Sequence, residues 1–291
     1  MTSAVPERDP QPASRNGRLS TVRGWCRGGP NRTPIWIELI MVVWLCWVYD
    51  MIANLAPIRA TLAHNDARSI LTAERWLHLD PELAMDHWMA RQHALALFIS
   101  NYYDNAHFVV TLGLVGVIWW KWPDRYRPLR NSMVLLNLFG MVVYWFVPTA
   151  PPRLYNPSRY IDVVAATHAF GSWHSGALAT AANQLAAMPS LHIAWACWSA
   201  LAAYRVLPRR RWSLLVWLYP VVTAVAVLST GNHFLMDVLA GAADFALATW
   251  IADHFQGWWT TRQARRALQS ERLDVRDTAV VAEPLGDTVV D

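Results

Sequence analysis

His233 and Asp237 stand four residues apart in the stretch Gly231-Asn232-His233-Phe234-Leu235-Met236-Asp237. On a helix, that spacing puts both side chains on one face. A carboxylate there can accept a hydrogen bond from one imidazole nitrogen. This fixes the tautomer and leaves the other nitrogen as a nucleophile or base. His–Asp pairs at this spacing also occur as simple helix staples. His192 follows Met188-Pro189-Ser190-Leu191, which reads as a helix start with a proline and a serine cap. A helix start presents backbone N–H groups to an anion. A third stretch, Pro148-Thr149-Ala150-Pro151-Pro152-Arg153, ends in a guanidinium whose fork of donors suits an anionic oxygen. The plainer alternatives are an interfacial histidine for His192 and a snorkelling arginine for Arg153.

These residues need elements to hold them, and the composition says what kind. The chain is 54% hydrophobic and 16% charged, against about 25% charged in soluble domains. That excludes a disordered, collagen-like or disulfide-built chain. Six apolar runs approach the roughly 20 residues that a bilayer core requires. They span about Pro34–Leu55, Tyr103–Trp120, Met133–Val147, Leu191–Leu207, Trp212–Leu228 and Phe234–Phe255. None alternates with period two as barrel strands do. The expected fold class is therefore an all-α integral membrane protein with six transmembrane helices. Cys26, Cys46 and Cys197 read as small buried hydrophobes, with no disulfide or metal spacing.

A pI near 9.1 admits an anionic partner such as nucleic acid. The positions of the cations point elsewhere. Lysine and arginine total 25, and 19 of them fall before the first run, after the second, after the fourth, and after the sixth. With six helices those four segments share one side, which the positive-inside rule makes cytoplasmic. Trp36, Trp119, Trp120, Trp212 and Trp258 gather at the same edge, as aromatic belts do. The charge therefore records orientation, and no nucleic-acid partner is expected. Both termini are placed in the cytoplasm. The first helix is read as an anchor that stays, because no small-residue cleavage site follows it.

This topology puts the ends of runs three, four and six, with their motifs, together on the extracytoplasmic side. Charged groups at membrane depth are costly and default to a functional reading. Tyr103, Asp104 and His107, at the start of run two on that side, are candidates for substrate contact, with helix packing as the alternative. Asp244 and Asp50 are weaker candidates of the same kind. Two extracytoplasmic segments are long. About Ala56–Asn101 carries helical periodicity and reads as one or two amphipathic surface helices. About Pro148–Met188 is too long for a connector and reads as a lid or part of a site. His168 and His174 lie in it. The domain reading is a polar cytoplasmic segment over residues 1–33, a membrane catalytic domain over 34–257, and a polar, disordered cytoplasmic tail over 258–291. Within the catalytic domain, residues 102–250 form the motif-bearing core. The arginine-rich usage with Lys121 as the single lysine fits a bacterial plasma-membrane protein with a GC-rich gene.

Together, Pro189-Ser190-Leu191-His192 and Gly231-Asn232-His233-Phe234-Leu235-Met236-Asp237 resemble the two C-terminal motifs of the type 2 phosphatidic acid phosphatase (PAP2) superfamily. Thr149-Ala150-Pro151-Pro152-Arg153 resembles its Aur1/inositolphosphotransferase-like branch. The resemblance covers about Tyr102–Trp250. It implies a six-helix core and a phosphohistidine mechanism that needs no metal or other cofactor. It makes His233 the nucleophile, Asp237 its orienting partner, and His192 the group that protonates the leaving oxygen and then activates the acceptor. Arg153, Ser190 and Asn232 are the residues left to hold the phosphoryl oxygens. The pattern also departs from the superfamily. Its first motif, Lys, six spacers, Arg-Pro, is matched only by Lys121 and Arg127-Pro128 with five spacers, on the wrong side. Val227 stands where an arginine is usual, and Leu191 where a glycine is. The expected activity is phosphatase or phospho-headgroup transfer on a lipid within the bilayer. The alternative is a non-catalytic lipid-binding or lipid-transport protein of the same fold.

Overall fold

The computed structural model describes residues 33–54, 59–167, 184–208 and 211–281. Among these the chain is helical, apart from a single isolated bridge between Thr149 and Ala186. The helices are α1 (Ile35–Asn54), α2 (Ala60–Trp76), α3 (Glu82–Ala90), α4 (His93–Lys121) and α5 (Pro123–Phe146). They continue with α6 (Pro152–Tyr155), α7 (Val163–Thr167), α8 (Leu191–Val206), a 3-10 turn over Arg211–Trp217, α9 (Leu218–Ser229) and α10 (Leu235–Val281).

Four helical stretches are long and apolar enough to cross a membrane: Ile35–Ile52, Pro123–Phe146, Arg211–Ser229 and Leu235–Trp258. Their large apolar side chains face outward: Val43 is 67% exposed, Phe146 70% and Phe255 67%. A helix apolar on all sides, as α1 is, needs a nonaqueous surround. Six such spans were expected. The second expected run lies in α4, which has the length at 29 residues but carries Asn101, Asp104, Asn105 and His107. The fourth is α8, only 16 residues long.

Arg125, Arg127 and Arg130 follow the second apolar run, where a connecting loop is expected. Instead only Trp122 separates α4 from α5, and all three lie in the first turns of α5. Proline at position N1 is preorganised for helix, and arginine is a good helix former. α10 likewise runs on as helix through Val281, past the polar stretch after Ala267. Residues 1–32 and 282–291, and with them Cys26, lie outside the described residues. Cys197 is buried as expected, whereas Cys46 is exposed on the outward face of α1.

Two polar ends organise the bundle. At one, Glu38 of α1 accepts bonds from Tyr126 (2.9 Å) and Arg130 (3.0 Å) of α5. There Arg205 of α8 also pairs bidentately with Asp253 of α10, and Arg125 donates to the Arg205 carbonyl. Between the ends, α4, α5, α8 and α10 share a core of Ile118, Leu129, Leu136, Ala194, Trp198 and Ala248. The Trp198 indole is satisfied by the Leu129 carbonyl and the Ser132 hydroxyl.

At the other end, α2 and α3 cap the bundle, in the segment where surface helices were expected. Ala63, Ala67 and Leu71 of α2 repeat at helical spacing and pack on Ala150 and Phe234. Burial of Leu71 and Phe234 stabilises this contact by about 1.5–3 kcal/mol each. Main-chain bonds reinforce it: Ala150 donates to the Ala63 carbonyl (3.1 Å), Thr149 to Leu185 (2.9 Å), and Ala187 to Thr149 (3.1 Å).

Candidate active site

Two helix starts form the site. Ser190 precedes α8 in an extended conformation, but its hydroxyl makes no capping bond, contrary to the cap expected from sequence. Its backbone amide instead donates to the carbonyl of Asp237 (3.0 Å), tying the start of α8 to the first turn of α10. The Ser190 hydroxyl is buried and has no hydrogen-bond partner among the described residues. The Tyr144 hydroxyl of α5 donates to the Pro189 carbonyl (2.9 Å) and holds the approach to α8. One turn beyond Asp237, Gly241 lies against the Ser190 carbonyl so closely that any Cβ there would collide with it. A glycine is thus required where α8, which bears His192, crosses α10; His233 stands in the turn just before α10, not on a shared helix face with Asp237 as its spacing suggested.

This crossing brings His192 and His233 together, with ring centroids 5.7 Å apart and planes at 65°. His233 is 5% exposed and Asp237 fully buried. His233 Nδ1 stands 3.5 Å from Asp237 Oδ2. That is an ion-pair distance, longer than a formed N–H···O bond. Such bonds commonly tighten when substrate binds. The same Oδ2 accepts the Phe234 amide (2.9 Å), so the carboxylate is held by the turn it serves. On its other side His192 stacks on Tyr103 at 4.4 Å, with planes 20° apart, and meets the His107 ring edge-on at 4.4 Å. His107 Nδ1–H donates to the Tyr103 carbonyl (3.1 Å). Tyr103 and His107 therefore frame His192. Asp104 is buried on the same stretch of α4.

Arg153 is 6% exposed and engaged on three sides. Its Nε donates to Asn232 Oδ1 (2.8 Å), and its Nη1 to Asp162 (3.1 Å) and Gln184 (3.5 Å). Its backbone amide donates to the Gly231 carbonyl (3.0 Å). Asn232 in turn donates to the Thr230 hydroxyl (2.9 Å) and carbonyl (3.2 Å). Gly231 sits at φ +66°, a left-handed position that side chains resist. A Cβ there would stand 2.9 Å from the Ile161 carbonyl. Arg153 is thus a strut between α6, the Asp162 turn and the residue preceding His233.

Sequence reasoning missed a set of buried acids from α2 and α3. Glu74 of α2 and Glu82 and Asp86 of α3 are all fully buried. Glu74 Oε1 accepts the Met236 amide (2.6 Å) in the first turn of α10. Asp86 accepts the Ile161 amide (2.8 Å), and Glu82 accepts the Tyr160 hydroxyl (3.3 Å). Burial is the main cause that pushes Glu74 up to about 8 and Asp86 up to about 6, against the lowering effect of the amide each accepts. Burial raises Glu82 too. The signal was legible: Glu74 sits on the Ala63–Ala67–Leu71 stripe, the face of α2 that should be apolar.

The remaining candidates are dispersed. Lys121 and Arg127 are exposed at the opposite end of the bundle from the histidines. Val227 is fully buried beside Ile193 and Cys197, in apolar surroundings. Asp244 is buried on α10, two turns below Asp237. His168 and His174 lie outside the described residues. Among the described residues, no group of three or more His, Cys, Asp or Glu side chains is arranged to hold a metal ion.

The chain thus carries paired histidines at crossing helix starts. It matches the PAP2 superfamily over residues 68–251. The chain belongs to the PAP2 superfamily. No curated protein and no solved structure matches it. The matched span begins within α2 and ends in α10, taking in both histidine motifs and α3. Members of the superfamily are phosphatases, which supports an enzyme with phosphatase-type chemistry on a phosphorylated substrate.

Proposed function

We propose that this PAP2 protein is a multi-pass membrane enzyme that cleaves or transfers the phosphate or phospho-headgroup of a lipid, in the manner of the Aur1/inositolphosphotransferase-like branch. The observation that carries the reading is the pairing of His192 and His233, 5.7 Å apart on separate helix starts, with Asp237 behind His233. His233 Nδ1 faces Asp237, so Nε2 is the nitrogen left to attack phosphorus. The P–O bond to the leaving alcohol breaks as the Nε2–P bond forms, and His192 gives the leaving oxygen its proton. His192 then takes a proton from water or an alcohol, which attacks the phosphohistidine and releases His233. No metal ion enters these steps.

The Ser190 hydroxyl, the first amides of α8, the Nη2 of Arg153 and Asn232 through its backbone amide, its side chain being spent on Thr230 and Arg153, are the donors for the phosphoryl oxygens. Tyr103 and His107 hold the His192 ring, and Asp104 lines the same helix. The site faces the extracytoplasmic side of a bacterial plasma membrane, with both termini cytoplasmic. α4 and α8 complete six spans, and α2 and α3 lie at the outer surface. The positive-inside distribution of the arginines supports this orientation. The polar network around the histidines, within a body apolar on its outside, suits a lipid that stays in the bilayer while its headgroup reacts.

The test is purified protein in detergent, offered a panel of phosphatidic acid, isoprenyl diphosphates and phosphatidylinositol with diacylglycerol or ceramide acceptors. Phosphate release or headgroup transfer that disappears in His233→Ala, with a trapped phosphohistidine in the wild type, supports the reading. Full activity in His233→Ala would sink the mechanism. Lipid binding without turnover or trapping would instead favour a lipid-binding or transport protein.

A further inference from the structure

We infer that Glu74 is a positioning residue of the reaction: one carboxyl oxygen fixes the first turn of the catalytic helix, and the charge on the carboxyl sets how well the site accepts an anion. This rests on the reading of His233 as the phosphate-accepting nucleophile. Glu74 comes from α2, far away in sequence, yet its Oε1 accepts the Met236 amide at 2.6 Å, between His233 and Asp237. The first turn of α10 thus has two carboxylate caps. Asp237 takes the Phe234 amide from within the turn, and Glu74 takes the Met236 amide from outside it. The second oxygens of both carboxyls, Glu74 Oε2 and Asp237 Oδ1, are buried with no hydrogen-bond partner among the described residues. Two ionised carboxylates so close to each other in a dry site repel. A neutral Glu74 keeps its bond to Met236 through the carbonyl-type oxygen and leaves Asp237 the single charge behind His233.

The surroundings favour that neutral form. α3 and the turn before it contribute Glu82 and Asp80, and α10 contributes Asp237, all of which raise Glu74 after burial itself. Tyr155 of α6 also packs on α2, its ring 6.4 Å from that of His64. Arg153 is committed to Asn232, Asp162 and Gln184. Arg75, next to Glu74 in sequence, pairs with Asp80 at 3.8 Å. With Glu74 up to about 8, the carboxyl is neutral at pH 7 and ionises above it. Ionisation places a second negative charge beside Asp237, on the turn that follows His233, so binding and turnover of an anionic substrate weaken as pH rises.

The experiment compares wild type with Glu74→Gln, which keeps the oxygen acceptor and cannot ionise. Both are assayed for kcat/KM of phosphate release from a short-chain phosphatidic acid, and for orthovanadate affinity, across pH 6.5–9.5. The ratio of E74Q to wild type should rise by about tenfold between pH 7 and 9 in both measurements, through relief of one charge repulsion. Should E74Q fail to fold, Glu74→Met, equally uncharged, is compared in the same way. A ratio that stays flat with pH, alongside measurable turnover or vanadate binding, overturns the role of Glu74 and leaves the phosphatase reading intact. Vanadate binding with the expected ratio but no turnover of any substrate sinks the reaction and keeps Glu74. Neither turnover nor vanadate binding overturns both.

Discussion

At the residue scale, the site separates groups that react from groups that hold. Asp237 is fully buried, bonded to the Phe234 amide and aimed at His233. Asp237→Asn keeps the shape and removes the charge that stabilises an imidazolium, so kcat should fall by about 10²–10⁴ with little change in KM. Steady-state phosphate release measures that split. Arg153 differs from what its sequence position suggested. It was legible as an anion ligand, yet two of its three nitrogens are spent on Asn232, Asp162 and Gln184. Arg153→Ala should therefore destabilise the fold by about 2 kcal/mol through unpaired partners, as well as weaken substrate binding. A lower Tm in detergent without ligand reads the structural part. If Tm stays unchanged while KM rises, Arg153 is a pure ligand. His192, His233 and Asp237 stand out in the sequence because their spacing is local. Glu74 shows in the sequence only as an acid on the apolar face of α2; its partner, on another helix 162 positions away, does not show.

At the element scale, close packing between helices decides the geometry. Gly241→Ala sets a methyl group against the Ser190 carbonyl at the crossing of α8 and α10. Backbone cannot yield as a flexible side chain does, so the substitution should cost about 1–3 kcal/mol and spread the two histidines. Loss of turnover together with a reduced Tm is the expected result; normal turnover counts against the crossing as described. The capping helices α2 and α3 carry a pH dependence of their own. Glu74 and Asp86 have pKa values raised to about 8 and about 6, so the folded state holds protons that the unfolded chain loses at lower pH. Their stabilising contribution is complete below about pH 4, the range of a free carboxyl, and is lost as pH climbs through the folded values. Hydrogen exchange in α2 and α3 should therefore accelerate from pH 6 to pH 9, and less so in Glu74→Gln. The existence of these helices followed from periodicity. The start of α5 did not, because a run of arginines reads equally well as a loop or as the first turns of a helix.

At the scale of the whole molecule, one end of the bundle carries arginine pairs with Glu38 and Asp253, and the other carries the histidines. With native cysteines replaced, Ser158→Cys at the histidine end should react with an impermeant maleimide in intact cells. Thr261→Cys at the arginine end should react only after lysis; the reverse pattern inverts the proposed orientation. The class of fold was readable from the apolar runs, whereas the number of spans was not, since polar groups in α4 and the shortness of α8 blur the pattern. The bond from the Ser190 amide to the Asp237 carbonyl has one more consequence. It makes the relation of the two motifs a matter of rotational phase, independent of how much chain lies between them. Residues could be added to the turns around α9 without disturbing the histidines. A single residue inserted between Asp237 and Gly241 would turn the rest of α10 by about 100° and present a side chain where the glycine gives clearance.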